Sequence, residues 1–250
     1  MEVRDKYGTI ECFSALIQKN AAEIAEDIED IKYVEAKEKL GEQAYAVPNS
    51  QVIKNINTSN IRRKMTILFA TYSMGKSVDE ICIQYPSLAS LIADTWDEIT
   101  YTYMIQMLSI GILINAETYD FDKLVGIVKK DKEHDFLIDF LIHHRKSEWE
   151  MTTDRFMQKI PYQYTQNIVF LAETNKQEAV AELKKYLTKY WYRGHSNEGW
   201  YNIHKQHIRL HRGYWSFESG ALVKILGLDD SVLKDCPYYP YDMVHWSDNK

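Results

Sequence analysis

Three histidines, His204, His207 and His211, follow one another at steps of three and four residues. On a continuous helix this spacing puts the imidazoles on one face, where rings a turn apart can converge on a zinc ion. His195 and Glu198 stand shortly before them. However, Lys205 follows His204 where a metalloprotease helix carries its glutamate, and no further ligand motif completes the set. A polar face of stacked imidazoles among Lys205, Arg209 and Arg212 is the simpler reading. A second feature overlaps the first. Between residues 184 and 215, Lys184, Lys185, Lys189, Arg193, Lys205, Arg209 and Arg212 stand against one acid, Glu198. Tyr186, Tyr190, Trp191, Tyr192, Trp200, Tyr201, Tyr214 and Trp215 run among them. Cations that neutralise phosphates beside rings that stack on nucleobases are what single-strand binding uses. An aromatic core whose helices have basic outer faces has the same composition.

Covalent catalysis has no foothold in the sequence. There is no G-x-S-x-G elbow, P-loop or G-x-G-x-x-G, and none of Cys12, Cys82 and Cys236 sits in a local setting that suggests a nucleophile. The cysteines are not at C-x-x-C spacing, and as scattered single thiols they suit a reducing cytoplasm. Asp229-Asp230 are adjacent, so on a helix they diverge instead of sharing a proton; an acidic helix start accounts for them. Acids cluster most densely near the N-terminus, where Glu23, Glu26, Asp27, Glu29 and Asp30 fall within one short stretch. This is either a solvated helix face or an electronegative surface offered to a basic partner.

The elements that must position these residues are helices. Of 250 residues, 45% are apolar and 26% charged, with a net charge of −6, as in an ordinary globular chain. Ten Gly and five Pro are few for this length and predict few turns and long helices. Ile17, Ala21, Ile24, Ile28 and Ile31 repeat at helical spacing and predict a first helix with its isoleucine face in the core, fading near Gly41. Pro48-Asn49-Ser50 reads as a loop, and Asn57-Thr58-Ser59-Asn60 as the cap of a second helix over 61–73. Ser77 opens a third that stops before Pro86, and a fourth covers 88–95. The uncharged segment Ile99–Ala116 contains too many polar residues to cross a membrane and predicts a central buried helix. Residues 120–132 are loosely periodic and mark a boundary between an N-terminal helical region, 1–125, and a C-terminal one, 126–250, packed as one unit. Further helices are predicted over 136–141, 164–173, 176–192 with Asn175 as cap, 200–211 and 214–226, the last stopped by Gly227. No strand pattern longer than four residues alternates. The fold class is all-α, a multi-helix bundle or a helical-repeat-like array of antiparallel helices. No apolar run follows the first residues, so no signal peptide is expected.

The C-terminal stretch carries a resemblance. Gly213-Tyr214-Trp215-Ser216-Phe217-Glu218, then Leu226-Gly227-Leu228-Asp229-Asp230-Ser231, then Tyr238-Tyr239-Pro240-Tyr241-Asp242 resemble the closing signature of the polymorphic nuclease effector immunity family, PoNi. Tyr72-Ser73-Met74-Gly75 and Arg4-Asp5-Lys6 are similar to its N-terminal elements. The resemblance implies an all-helical antitoxin of the bacterial cytoplasm, made beside a secreted DNA-cleaving toxin and protecting the producer by binding it. It implies no turnover and no cofactor, and the residues themselves lead to no expectation of a metal or a membrane. The shared rings read as a lock of the last helix and tail onto the body. Partner binding is expected at acids instead, because a nuclease must present positive charge to phosphates. The residues are Glu23, Glu26, Asp27, Glu29 and Asp30, with Asp229, Asp230, Asp235 and Asp242 as a second set. A nucleic-acid-binding module using residues 184–215 is the alternative.

Overall fold

Thr9 opens the first helix: its hydroxyl accepts from the Cys12 amide at 3.3 Å, satisfying one of the amides a helix start leaves unpaired. The computed structural model describes residues 2–95, 101–131 and 134–246. Helix α1 (Ile10–Lys39) ends as expected at Gly41, whose φ of +72° is the left-handed conformation glycine adopts without strain. Its buried face differs from the prediction. Phe13, Leu16, Asn20 and Val34 point inward, whereas Ile17, Ile24 and Ile31 are half-buried and Ala21 and Ile28 exposed. The isoleucines flank the seam with α2 (Asn49–Ser73), which runs back along α1 after a short loop.

Helix α2 starts at Asn49 behind Pro48, inside the stretch read as a loop, and passes without interruption through residues 57–60, where the sequence predicts a cap. Cap-forming side chains stop a helix only where its backbone is free to leave. Here packing along α1 holds it, and the Thr58 hydroxyl donates back to the Lys54 carbonyl at 2.9 Å. Helix α3 (Val78–Thr95) likewise continues through Pro86 as one helix, not two. Proline removes one ladder hydrogen bond, but Ile81, Tyr85, Leu88, Ala89 and Ile92, buried on both sides of it, keep the helix together.

The chain forms two compact units, Met1–Thr95 with Ile203–Gly213, and Trp96–Asn202 with Tyr214–Lys250. In the second, α4 (Tyr101–Leu113) is the expected central helix, with every residue from Met104 to Leu113 buried. Ile99 and Thr100 of the uncharged segment lie outside the described residues. No described helix is long and apolar enough to cross a membrane. The loosely periodic segment is helical: α5 (Thr118–Asp131) turns Phe121, Leu124 and Val128 inward, and Lys132 lies outside the described residues. Helices α6 (Phe136–Arg145), α7 (Lys159–Thr174) and α8 (Lys176–Lys185) follow, the last capped by Asn175 as predicted and burying Val180 and Leu183. A π-helical stretch, Tyr186–Trp191, continues α8 into the short α9 (Tyr192–Gly194).

Residues 200–211 do not form the predicted helix. They divide into α10 (Ile203–Gln206) and a single 3-10 turn, Ile208–Leu210, with Asn202 at φ +58° breaking the chain before them. Helix α11 (Phe217–Leu226) ends at Gly227, φ +58°, and α12 (Tyr241–Val244) closes the described chain. Helix α11 packs on α4, and a Cβ at Gly220 would come within 2.9 Å of Pro240 and Val244, so glycine there permits the tail to lie flat. Among the described residues there is no strand, and the fold is all-α.

Candidate functional site

The residues that carry the sequence resemblance gather into two buried knots, one in each unit. In the first, the Arg4 guanidinium donates to the carbonyls of Tyr72 (2.9 Å) and Lys76 (2.7 Å) and lies 4.6 Å from the centre of the Tyr72 ring. The Arg4 amide donates to the Ser73 carbonyl, and the Ser73 hydroxyl to the carbonyl of Arg212. Asp5 accepts from the Tyr7 amide and pairs with His211 Nε2, both at 2.8 Å. In the second, the Ser216 amide donates to the Tyr238 carbonyl, and the Ser216 and Tyr186 hydroxyls donate to the same Glu218 oxygen at 2.7 and 2.9 Å. The Tyr239 hydroxyl donates to Asp230 at 2.6 Å, and His245 Nε2 meets that carboxylate at 3.0 Å.

Burial sets the protonation of these groups. It pushes the Glu218 carboxyl up, against the pull of the Ser216 and Tyr186 hydroxyls, and pushes Tyr186 well above the ordinary phenol range. His195 is pushed down to about 4 by burial. Its Nδ1 lies 2.7 Å from the Trp191 carbonyl, which can only accept, so Nδ1 carries the proton and Nε2 accepts from Tyr162. Glu218, Tyr186, Tyr162, His195 and Ser216 are all buried.

The histidine constellation does not assemble as the spacing suggested, because the helix that would align it is broken. His204 stacks on Tyr7 at 4.2 Å, His211 is buried against Asp5, and His207 is exposed. Among the described residues no group of three His, Cys, Asp or Glu side chains is placed to hold a metal ion. The basic-aromatic stretch is divided between the two units. Its rings pack on other rings, inside the stretch and beyond it: Trp191 on Trp200 at 5.7 Å, Tyr192 on Tyr238 at 5.2 Å, and Tyr190 on Tyr164 at 4.0 Å. Tyr186, Tyr214 and Trp215 are buried, and Arg212 lies buried over Phe69.

The acids of α1 take three different positions. Arg63 of α2 clamps Glu23 (2.9 Å) and Asp27 (2.7 Å) with one guanidinium. Glu29 pairs on the surface with Lys32 at 2.7 Å. Glu26 and Asp30 are exposed and, among the described residues, have no ion-pair partner. In the second set Asp229, Asp235 and Asp242 are exposed, whereas Asp230 turns inward to Tyr239. The Asp229 carboxylate is held below its usual range by the Ser231 amide.

Two family models divide the chain between them: PoNe immunity protein (PoNi), N-terminal, over residues 4–126, and PoNe immunity proteins (PoNi), C-terminal, over residues 133–243. The chain belongs to the PoNi family. Its function is therefore immunity to a nuclease toxin, and the family is not one of enzymes. None of the curated proteins matches the chain. A solved structure, protein PA2201 from Pseudomonas aeruginosa, is similar in fold, with a TM-score of 0.62 at 16% identity over 100% of this chain and 99% of that one. In this PoNi chain many of the signature residues are buried in the two knots, whereas Asp229 and Asp242 of the same signature are exposed. Sequence reasoning missed Arg63, because nothing local announces a partner 36 and 40 residues away. It also passed over Tyr33, which stands one helical turn beyond Glu29 on an exposed face and was legible from that spacing.

Proposed function

We propose that this PoNi protein neutralises a cognate DNase by binding it directly, with the acidic face of α1 meeting the basic surface that the nuclease needs for DNA, and so covering the active site. The observation that carries this reading is the pair Glu26 and Asp30, exposed, free of ion pairs among the described residues, and mounted on a helix whose neighbouring acids Arg63 holds in place. Unpaired surface charge on a rigid element steers a partner of opposite sign and raises the rate of encounter. Glu23, Asp27 and Glu29 add to the same field, and Asp229, Asp235 and Asp242 form a second electronegative set. The site of action is the producer's cytoplasm, where the chromosome needs protection from a toxin delivered by a neighbouring cell's secretion system.

Co-expression tests this reading. The chain should restore growth and keep the chromosome intact against its cognate nuclease, while a related non-cognate nuclease should still kill. Equal protection against unrelated DNases would contradict specific binding. The alternative, nucleic-acid binding through 184–215, finds its rings packed on other rings, so no mobility shift of single-stranded DNA is expected at moderate salt.

A further inference from the structure

The hairpin of α1 and α2 has a root and a free end that differ in what covers them. At the root, Phe13, Leu16, Ile61, Met65 and Leu68 are buried. From residue 23 to residue 59, along the outer half of both helices and the loop that joins them, only Val34 and Asn49 are buried. Apolar side chains are nonetheless plentiful there. Tyr33 is 47% exposed, Leu40 71%, Tyr45 50% and Val47 45%. Helices stabilise themselves by burying an apolar face, and large apolar side chains left open at one end of a hairpin are what an interaction surface offers.

This end is also held in one shape. The Asn49 side chain accepts from the Ala44 amide and donates to the Glu42 carbonyl, both at 2.9 Å, which fixes the loop from inside. Lys37 ties Glu42 from outside at 2.7 Å. The rings of Tyr33 and Tyr45 meet edge to face at 6.3 Å. A pre-formed surface loses little freedom on binding, and tyrosine is the residue type that supplies large, stiff, half-polar contact area at interface centres. Segment 23–60 carries eight acids and four bases, so the apolar centre has a negative surround. That charge repels nucleic acid and anionic lipid, and it repels a second copy of the same face. It attracts a basic protein.

We propose that the free end of the α1–α2 hairpin, centred on Tyr33, Tyr45 and Leu40, is the anchor that grips the nuclease, with the acids of α1 guiding the approach. This rests on the direct-binding reading above. The two contributions separate kinetically, since charge acts mainly on association and a desolvated apolar anchor on dissociation.

The test measures binding of the full chain to the purified nuclease whose toxicity it relieves, for wild type, for Tyr33→Ala with Tyr45→Ala, and for Leu40→Ser. Leu40 is 71% exposed, so its change should cost little stability, which keeps the test decisive if the double variant folds poorly. Both variants should dissociate at least tenfold faster, with association rate and salt dependence unchanged and circular dichroism intact. Wild-type dissociation rates in a complex that still forms would overturn the anchor and leave direct binding standing. A wild-type chain that forms no complex would overturn both. Self-association of the free chain, abolished by the same variants, would give the face to a second copy and overturn the proposal.

Discussion

His195 is neutral in the folded protein, and the sign of its effect on stability follows. Its folded pKa of about 4 lies below the ordinary 6.5, so the unfolded chain takes up the proton first as pH falls. The stability it protects is complete above pH 6.5 and drains away between 6.5 and 4. With those values, lowering the pH from 8 to 5 should remove on the order of 2 kcal/mol through this residue. The check is the slope of unfolding free energy against pH, compared with His195→Gln. The variant's slope should be shallower across that range, whatever its absolute stability, and equal slopes would remove His195 from the account. Glu218 acts with the opposite sign. Its carboxyl is pushed up by burial, so its contribution to stability falls as pH rises past the ordinary carboxylate range. It is kept because the Ser216 and Tyr186 hydroxyls converge on it.

At the scale of elements, the tail and α11 form the clearest dependence. Tyr239, Met243 and Val244 are buried, and fully burying such a side chain is worth about 1.5–3 kcal/mol. Deleting residues 236–250 should therefore lower the melting temperature and abolish protection together. A truncated chain of unchanged melting temperature that fails to protect would make the tail a contact surface instead. Element types were legible in the sequence because helices bury apolar faces at a fixed period and strands at another. The cap at Asn175 and the stop at Gly227 were legible because both act through their own local backbone. The breaks at residues 57–60 and at Pro86 were misread for the complementary reason: local breakers were overruled by burial against neighbours distant in sequence. The reverse happened at 200–211, where helical spacing yielded to Asn202 and to rings drawn into the aromatic cluster. Spacing alone aligned the three histidines, and with the helix broken at Asn202 they do not share one face.

At the scale of the molecule, the buried part of the signature holds each unit together. Arg4, Asp5, Ser73 and Arg212 tie the N-terminus, the end of α2 and the returning segment into one unit, and Ser216, Glu218, Asp230 and Tyr239 tie α11 to the tail in the other. The proposed recognition falls instead on exposed side chains of α1, on a chain of net charge −6. The most direct measurement is the association rate with the cognate nuclease as a function of salt, for wild type and for Glu26→Lys with Asp30→Lys. Both side chains are exposed and free of ion pairs among the described residues, so folding should hold to within ~0.5 kcal/mol per site. The Debye length at physiological salt is about 8 Å, so the wild-type rate should fall steeply as salt rises. The variant should associate at least several-fold more slowly at low salt, with a flatter dependence. Identical rates and identical salt slopes would contradict the account, and would leave the acids of α1 as a solvated face.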